Sequence, residues 1–464
     1  MANTTTTQKK NFKRTSPVIP REGPREGPRD SQNPKNKGAR FHPSKTNEKN
    51  TPYRTKLENN KQIVIADSDR ERGLDLFCYL KCDNSSPLQV KRARGLVFHD
   101  EKLVLKTFPY TDEYSLEDEP AMSRFVRPFF TNEDGPRGSR FFRSYEGSLI
   151  RVFNFDDEWF VSTHRKLDAF KSKWSSNTSF GKMFFDGVRK QMSVEEGDDR
   201  DLKDIFFEKL DKNKSYMFLV LPIEDNRVVC QVPKEGRPTV YHVGTYENFP
   251  SKVFSLDETI PGFPHPEEYK FASFKEFADE IRKTDVQTYQ GVIIFGPKNQ
   301  LVKVLHPEYH YLFRLRGNEQ SVKFRYLQIR TDGDKWKDYG RLYPNFIPEF
   351  KDYERCLTQI AGDIHNAYVK RYIKKEKITI PQEEFIVMSK CNQWYRENPK
   401  DNRVTAKVIA QAMDYEEPTS LNKMIKRLKL EERQKEQPQE GEKGAPLDVI
   451  KQSDFPVLGA GAEN

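Results

Sequence analysis

Arg143-Ser144-Tyr145-Glu146-Gly147-Ser148-Leu149-Ile150-Arg151-Val152-Phe153 is the stretch on which the reading of the fold turns. A polar turn ending in Glu-Gly hands over to a run of aliphatic, β-branched and aromatic residues, which predicts a strand beginning near Ser148. Runs of the same style lie at 62–66, 95–98, 216–221, 291–295 and 301–305, with turn residues between them and helical patches such as 274–283. Many short strands with few helices predict an α+β domain dominated by antiparallel sheet, placed at 61–345.

After Pro348 the period changes. Tyr353, Leu357, Ile360, Ile364 and Tyr368 recur at helical spacing, Pro381 is placed to open a second helix running through Trp394, Thr405 to cap a third and Ser420 a fourth. A small helical domain is therefore expected at 346–430. Its cations (Lys370, Arg371, Lys374 and Lys375; Lys423, Lys426, Arg427 and Lys429) suit either a nucleic-acid face or solvated helix surfaces. Residues 1–60, with Arg-Glu-Gly-Pro repeated from Arg21 to Pro28, and residues 431–464 lack apolar periodicity and read as disordered tails. Within the second tail, Phe455-Pro456-Val457-Leu458 has the form of a docking motif for a protein partner.

Hydrophobic residues make up 35% and charged residues 32% of the 464, a polar balance that tails diluting an ordinary core would explain. No apolar run approaches the roughly 18 residues of a membrane span, and the start is not a signal peptide, so a soluble cytoplasmic protein is expected. The five cysteines are scattered. Cys78 and Cys82 are one helical turn apart with no second Cys/His pair nearby, which favours reduced structural thiols and no metal site. The charge of +9 is local: residues 1–60 hold 14 Lys and Arg against 5 Asp and Glu, and the rest of the chain is balanced. Such a tail attracts phosphate backbones without reading sequence, or simply solubilises.

From Glu146-Gly147 outward the sequence resembles the phage-type RNA ligases, members of the covalent nucleotidyltransferases that share a lysine-any-Asp/Glu-Gly signature leading into a strand. Arg94-Gly95-Leu96-Val97-Phe98 followed by Phe108-Pro109 is similar to the segment preceding their active site. Thr163-His164-Arg165-Lys166 stands where they have a phosphate-contacting turn, and Asp225-Asn226-Arg227-Val228-Val229 is similar to their third motif. Tyr289-Gln290-Gly291-Val292-Ile293 stands where they carry Glu-Gly-Val-Val, and Val302-Lys303-Val304-Leu305, with Tyr309 four residues on, resembles their Lys-any-Lys element. The fragments run in family order over about 90–320. Beyond the fold, the resemblance implies attack of a lysine amine on the α-phosphate of ATP or GTP with a magnesium ion present, then transfer of the nucleotide to an RNA end.

At four chemical positions the sequence departs from that pattern. The lysine position is Ser144, and no lysine occurs between Lys106 and Lys166. An amine that can be neutral is required, which arginine cannot supply. Gln290 replaces the acid of the fourth motif, and an amide lacks the charge that holds a divalent cation. The strand 217–220 lacks the usual acid, and Leu305 replaces the second lysine of the last motif. The leading reading is a catalytically degenerate RNA-ligase-like protein, with Ser144, Glu146, Gly147, Gln290, Gly291 and Lys303 lining a vestigial nucleotide pocket. The enzymatic alternative needs a displaced nucleophile from Lys166, Lys171, Lys173 or Lys303, with His164 a weaker candidate.

Between Thr163 and Lys190, cations alternate with aromatics, the general recipe for single-stranded nucleic acid. Arg165, Lys166, Lys171, Lys173 and Trp174 are the candidate RNA contacts, with Trp174 and Phe180 expected to be exposed, and Arg314 and Arg316 extend the set. The competing reading makes the aromatics core and the cations edge-strand guards. RNA is the expected partner, a membrane is not, and recruitment of a protein through Phe455–Leu458 is a third hypothesis. The overall likeness is to RNA-ligase-like proteins of large DNA viruses, which adds the nucleus or a viral factory of an infected cell to the expected compartments.

Overall fold

Strand-forming runs dominate the first part of the chain, and the computed structural model describes residues 52–130, 138–194, 201–247, 254–296 and 300–436. Among them the strands, in chain order, are β1 (Ile63–Asp69), β2 (Leu74–Tyr79), β3 (Arg94–His99), β4 (Lys102–Leu105), β5 (Asp112–Ser115), β6 (Arg140–Ser144), β7 (Ser148–Phe155), β8 (Glu158–Ser162), β9 (Lys214–Val220), β10 (Val240–Glu247), β11 (Phe254–Ser255), β12 (Glu268–Tyr269), β13 (Gly291–Phe295) and β14 (Leu301–Leu305). They form three sheets, ordered β1-β2-β3-β4, β11-β10-β9-β7-β8 and β12-β6-β13-β14-β5. Every pairing is antiparallel except β14 with β5. The expected α+β class with antiparallel sheet is what the chain adopts.

The β7–β8 hairpin shows the local logic. Asp156 and Asp157 both have positive φ, at 53° and 63°, between paired Phe155 and Glu158. A two-residue turn of that hand matches the twist of the flanking strands, and aspartate tolerates it better than most residues. Along β7 the side chains alternate. Ile150 and Val152 pack with Met183, Phe184 and Val188 of the helix Phe180–Met192. Phe153 and partly buried Leu149 face the core shared with Phe142, Met217 and Phe295. The same alternation turns Arg151 inward, where it is fully buried.

The uninterrupted succession of helices begins at Pro307, inside the span assigned to the sheet domain, and runs through Pro307–Arg316, Val322–Ile329 and Gly333–Leu342 before the long helix Ile347–Tyr368. Tyr309, Leu315, Tyr326 and Tyr339 of the first three, with Phe350 of the fourth, share a core with Trp174 and residues 228–230. Pro381 and Thr405 cap the helices Gln382–Glu397 and Ala406–Met413. Ser420 is not a cap, since the last helix already starts at Pro418, whose fixed φ suits a first turn. Lys423 and Arg427 pair with Glu383, and Lys429 with Asp352, so these cations brace helices against one another. Both expected tails, apart from 52–60 and 431–436, and with them Phe455–Leu458, lie outside the described residues.

Candidate functional site: a closed polar network

Ser144 ends β6 opposite Gly291 of β13, which sets Gln290 beside it. The Ser144 hydroxyl donates to Gln290 Oε1 at 2.9 Å, Gln290 Nε2 donates to the Tyr309 hydroxyl at 2.7 Å, and Tyr309 donates to Glu146 Oε2 at 3.0 Å. Glu146 also accepts the backbone N–H of Val228 at 2.6 Å, Val229 at 2.9 Å and Cys230 at 3.1 Å. All four side chains are buried. Burial, reinforced by the Glu146 charge, pushes the Tyr309 hydroxyl well above its ordinary pKa, so it stays a donor. The same two causes raise the Cys230 thiol.

This arrangement consumes the chemistry it would need to offer a ligand. Four donors already occupy the Glu146 carboxylate, and a carboxylate buried with such a set is a structural acceptor. No cluster of three or more metal-ligating side chains exists among the described residues. Gly147 lies against β9, where a Cβ would sit 2.5 Å from the Val220 carbonyl oxygen, so strand packing alone accounts for the glycine. Beside Glu146 and Gly147 the cavity bounded by Trp174, Pro222, Asn226 and Val228 is about 20 Å³. Pockets that bury a small molecule measure roughly 300–1,000 Å³, so this one admits a water at most.

The expected pocket residues are thus only partly brought together. Ser144, Glu146 and Gln290 join through Tyr309, whereas Lys303 pairs with Glu113 of β5 at 2.6 Å. The other candidate nucleophiles have different engagements. Lys166 pairs with Asp67 of β1 at 3.2 Å, Lys171 with Asp168 at 3.7 Å, and Lys173 is exposed. None hydrogen-bonds to the Ser144–Glu146 network.

Two of the expected RNA contacts need correction. Trp174 is 7% exposed, and Arg316 is wholly buried with its guanidinium over the Trp174 ring at 5.2 Å and over Tyr343 at 5.8 Å. Arg316 also donates to the carbonyls of Glu319 and Gln320. The pair fastens the loop after β8 to the helical layer, which removes both from the surface. Phe180 is half-buried, not exposed. Arg314, Lys171 and Lys173 are exposed, and Arg165 is half-buried.

A second cationic cluster escaped the sequence reading. Arg151 donates to the carbonyls of Gly95 and Thr163, with Arg94 and Arg165 close by and no described carboxylate bonded to any of the three. Burial, with the Arg94 charge, lowers the Arg151 pKa to about 9. Burial and the three guanidiniums hold His164 well below its usual pKa, so its ring is neutral. Gly95 has φ +74°, and a Cβ there would lie 2.8 Å from His164 Cα, which explains the glycine of Arg94-Gly95. The signal was present in the inward position of Arg151 on β7.

No family model matches the chain. It is similar to a protein named "Putative bifunctional polynucleotide kinase/RNA ligase" of Autographa californica nuclear polyhedrosis virus, 22% identical over 46% of this chain and 29% of that one. Among solved structures it is similar to an archaeal ATP-dependent RNA ligase, 13% identical over 66% of this chain and 78% of that one, with a TM-score of 0.38. The "Immediate-early protein ICP-46 homolog" of Invertebrate iridescent virus 6 is 30% identical over 76% of this chain and 80% of its own length. The likeness to RNA-ligase-like proteins of large DNA viruses, first drawn from motifs, recurs in these partial matches, and the chain belongs to the family of the immediate-early protein ICP-46 homologs.

Proposed function

We propose that this chain is a catalytically degenerate RNA-ligase-like protein that binds RNA and forms no covalent lysyl–nucleotide. The observation that carries the reading is the Ser144–Gln290–Tyr309–Glu146 network. It puts a hydroxyl held by an amide at the nucleophile position, spends the motif carboxylate on backbone N–H groups, and leaves a cavity of about 20 Å³ beside them. A hydroxyl with no base beside it is a poor nucleophile toward an α-phosphate. The RNA half of the reading is supported by Arg94 and Arg165, half-buried and with no described carboxylate bonded to either, by the basic residues 1–60, and by the baculovirus relative whose name carries an RNA ligase.

Incubation with α-labelled ATP or GTP and magnesium or manganese, followed by denaturing electrophoresis, tests the catalytic half. No covalent label is expected. A label that disappears when Lys166, Lys171, Lys173 or Lys303 is replaced would make the chain an active nucleotidyltransferase instead.

A further inference from the structure

A groove of about 1160 Å³ opens between the first and third sheets and shares no residue with the Ser144–Glu146 network. Its floor is apolar, formed by Leu96 and Leu103 of the first sheet and Leu301 and Val302 of β14. On its rim stand large apolar side chains that a monomer ordinarily hides: Tyr53 is 42% exposed, Leu88 57% and Phe125 41%. Phe125 stacks on Tyr114 with ring centres 5.2 Å apart and planes 9° from parallel, and Arg124 lies over its ring at 5.1 Å. Among the described residues, the cations Lys91, Arg92, Lys106 and Arg124 line the groove with one carboxylate, Asp112, which Lys91 already holds at 2.6 Å. Arg92 and Arg124 are exposed and make no ion pair with any described residue.

We infer that this groove is the binding surface for single-stranded RNA, which rests on the RNA-binding reading above and supplies the surface that the burial of Trp174 and Arg316 took away. Its size exceeds the roughly 300–1,000 Å³ of a small-molecule pocket, which suits an extended chain of several units. Exposed rings give each base a stacking face, and uncompensated guanidiniums meet the backbone phosphates. Residues 1–51, with 12 Lys and Arg against 4 Asp and Glu, precede Pro52 in the same chain, so the most basic segment adds phosphate-attracting charge to a groove whose own charge is already cationic. A purely apolar peptide would leave Arg92 and Arg124 unanswered, and a duplex would offer no free base faces to the rings.

The test is fluorescence anisotropy of a short labelled RNA of mixed sequence titrated with the full chain, compared with its duplex and repeated over a range of salt. Phe125→Leu, which keeps apolar packing but removes the ring, is expected to weaken single-strand binding between about fivefold and a hundredfold. Arg92→Glu, at the exposed end of the helix Leu88–Arg92, is expected to weaken binding and lower the slope of log affinity against log salt by about one, with the thermal midpoint little changed. Lys171→Glu serves as the comparison on the strip between Thr163 and Lys190. If the wild-type chain binds single strands and both groove variants bind equally well, the groove assignment is overturned and RNA binding stands. Tighter binding of the duplex would also overturn it. If the wild-type chain binds no RNA, the proposed function fails together with the groove.

Discussion

Tyr309 is the residue on which the closed site depends. Its hydroxyl accepts from Gln290 and donates to Glu146, so Tyr309→Phe leaves a buried amide N–H and a carboxylate lone pair without partners at no loss of ring volume. Orphaning a buried polar group costs about 1–3 kcal/mol, more where a charge is involved. The variant is expected to lose roughly 2–4 kcal/mol of unfolding free energy in urea, with unchanged slope. A loss below about 0.5 kcal/mol would mean that water replaces the hydroxyl and that the network is not closed. Part of this network is legible in the sequence: Ser144 and Gln290 stand out by identity alone as departures from the ligase pattern. What sequence could not reveal is where Glu146 points. Its ligands are the N–H groups of 228–230, more than eighty positions away, and backbone donors leave no trace in residue type. Trp174 misled for the complementary reason, because a large amphipathic ring suits a stacking platform and a core equally well.

At the level of elements, alternation exposed the longer strands, while β11 and β12, two residues each, carry no period to read. The helix Phe180–Met192 passes for part of a basic surface when its cations are counted without its period. At 3.6 residues per turn Met183, Phe184 and Val188 face the second sheet, and Lys182 and Asp186 face outward as an ion pair. On β10 the pairing with β9 shifts between His242 and Gly244, and His242 is wholly buried, its Nε2 3.0 Å from the Thr245 hydroxyl. Burial, and then neighbouring His265, lowers its pKa from 6.5 to about 4. The unfolded chain therefore takes up a proton that the folded one refuses. Stability is fully retained above about pH 6.5, falls as pH drops toward 4, and levels off below, a loss of about 3 kcal/mol from this residue. His164 acts in the same direction, so His242→Phe is expected to flatten only part of the slope when unfolding free energy is followed between pH 7 and pH 4. An unchanged slope would mean that His242 is protonated in the folded chain as well.

Across the whole molecule, charge and structure are divided unevenly. The sheets and helices carry balanced charge, much of it committed to ion pairs such as Arg330 with Glu354 and Asp414, whereas the excess sits in residues 1–60. If both the groove and the basic segment meet RNA, they contribute differently. The groove supplies stacking, which salt hardly affects, together with the phosphate contacts of Arg92 and Arg124, and the segment supplies the larger share of phosphate neutralisation, which salt weakens through counterion release. Removing residues 1–51 is therefore expected to lower RNA affinity most at low salt and to shrink the slope of log affinity against log salt by about 0.7 for each phosphate that is no longer neutralised. The affinity that remains at high salt should stay sensitive to Phe125→Leu. Were the truncated chain to lose all binding at every salt concentration, stacking in the groove would have no independent weight, and the segment alone would be the RNA-binding part. A slope equal to that of the full chain would instead assign phosphate neutralisation to the folded surface, with Arg92 and Arg124 first among its cations.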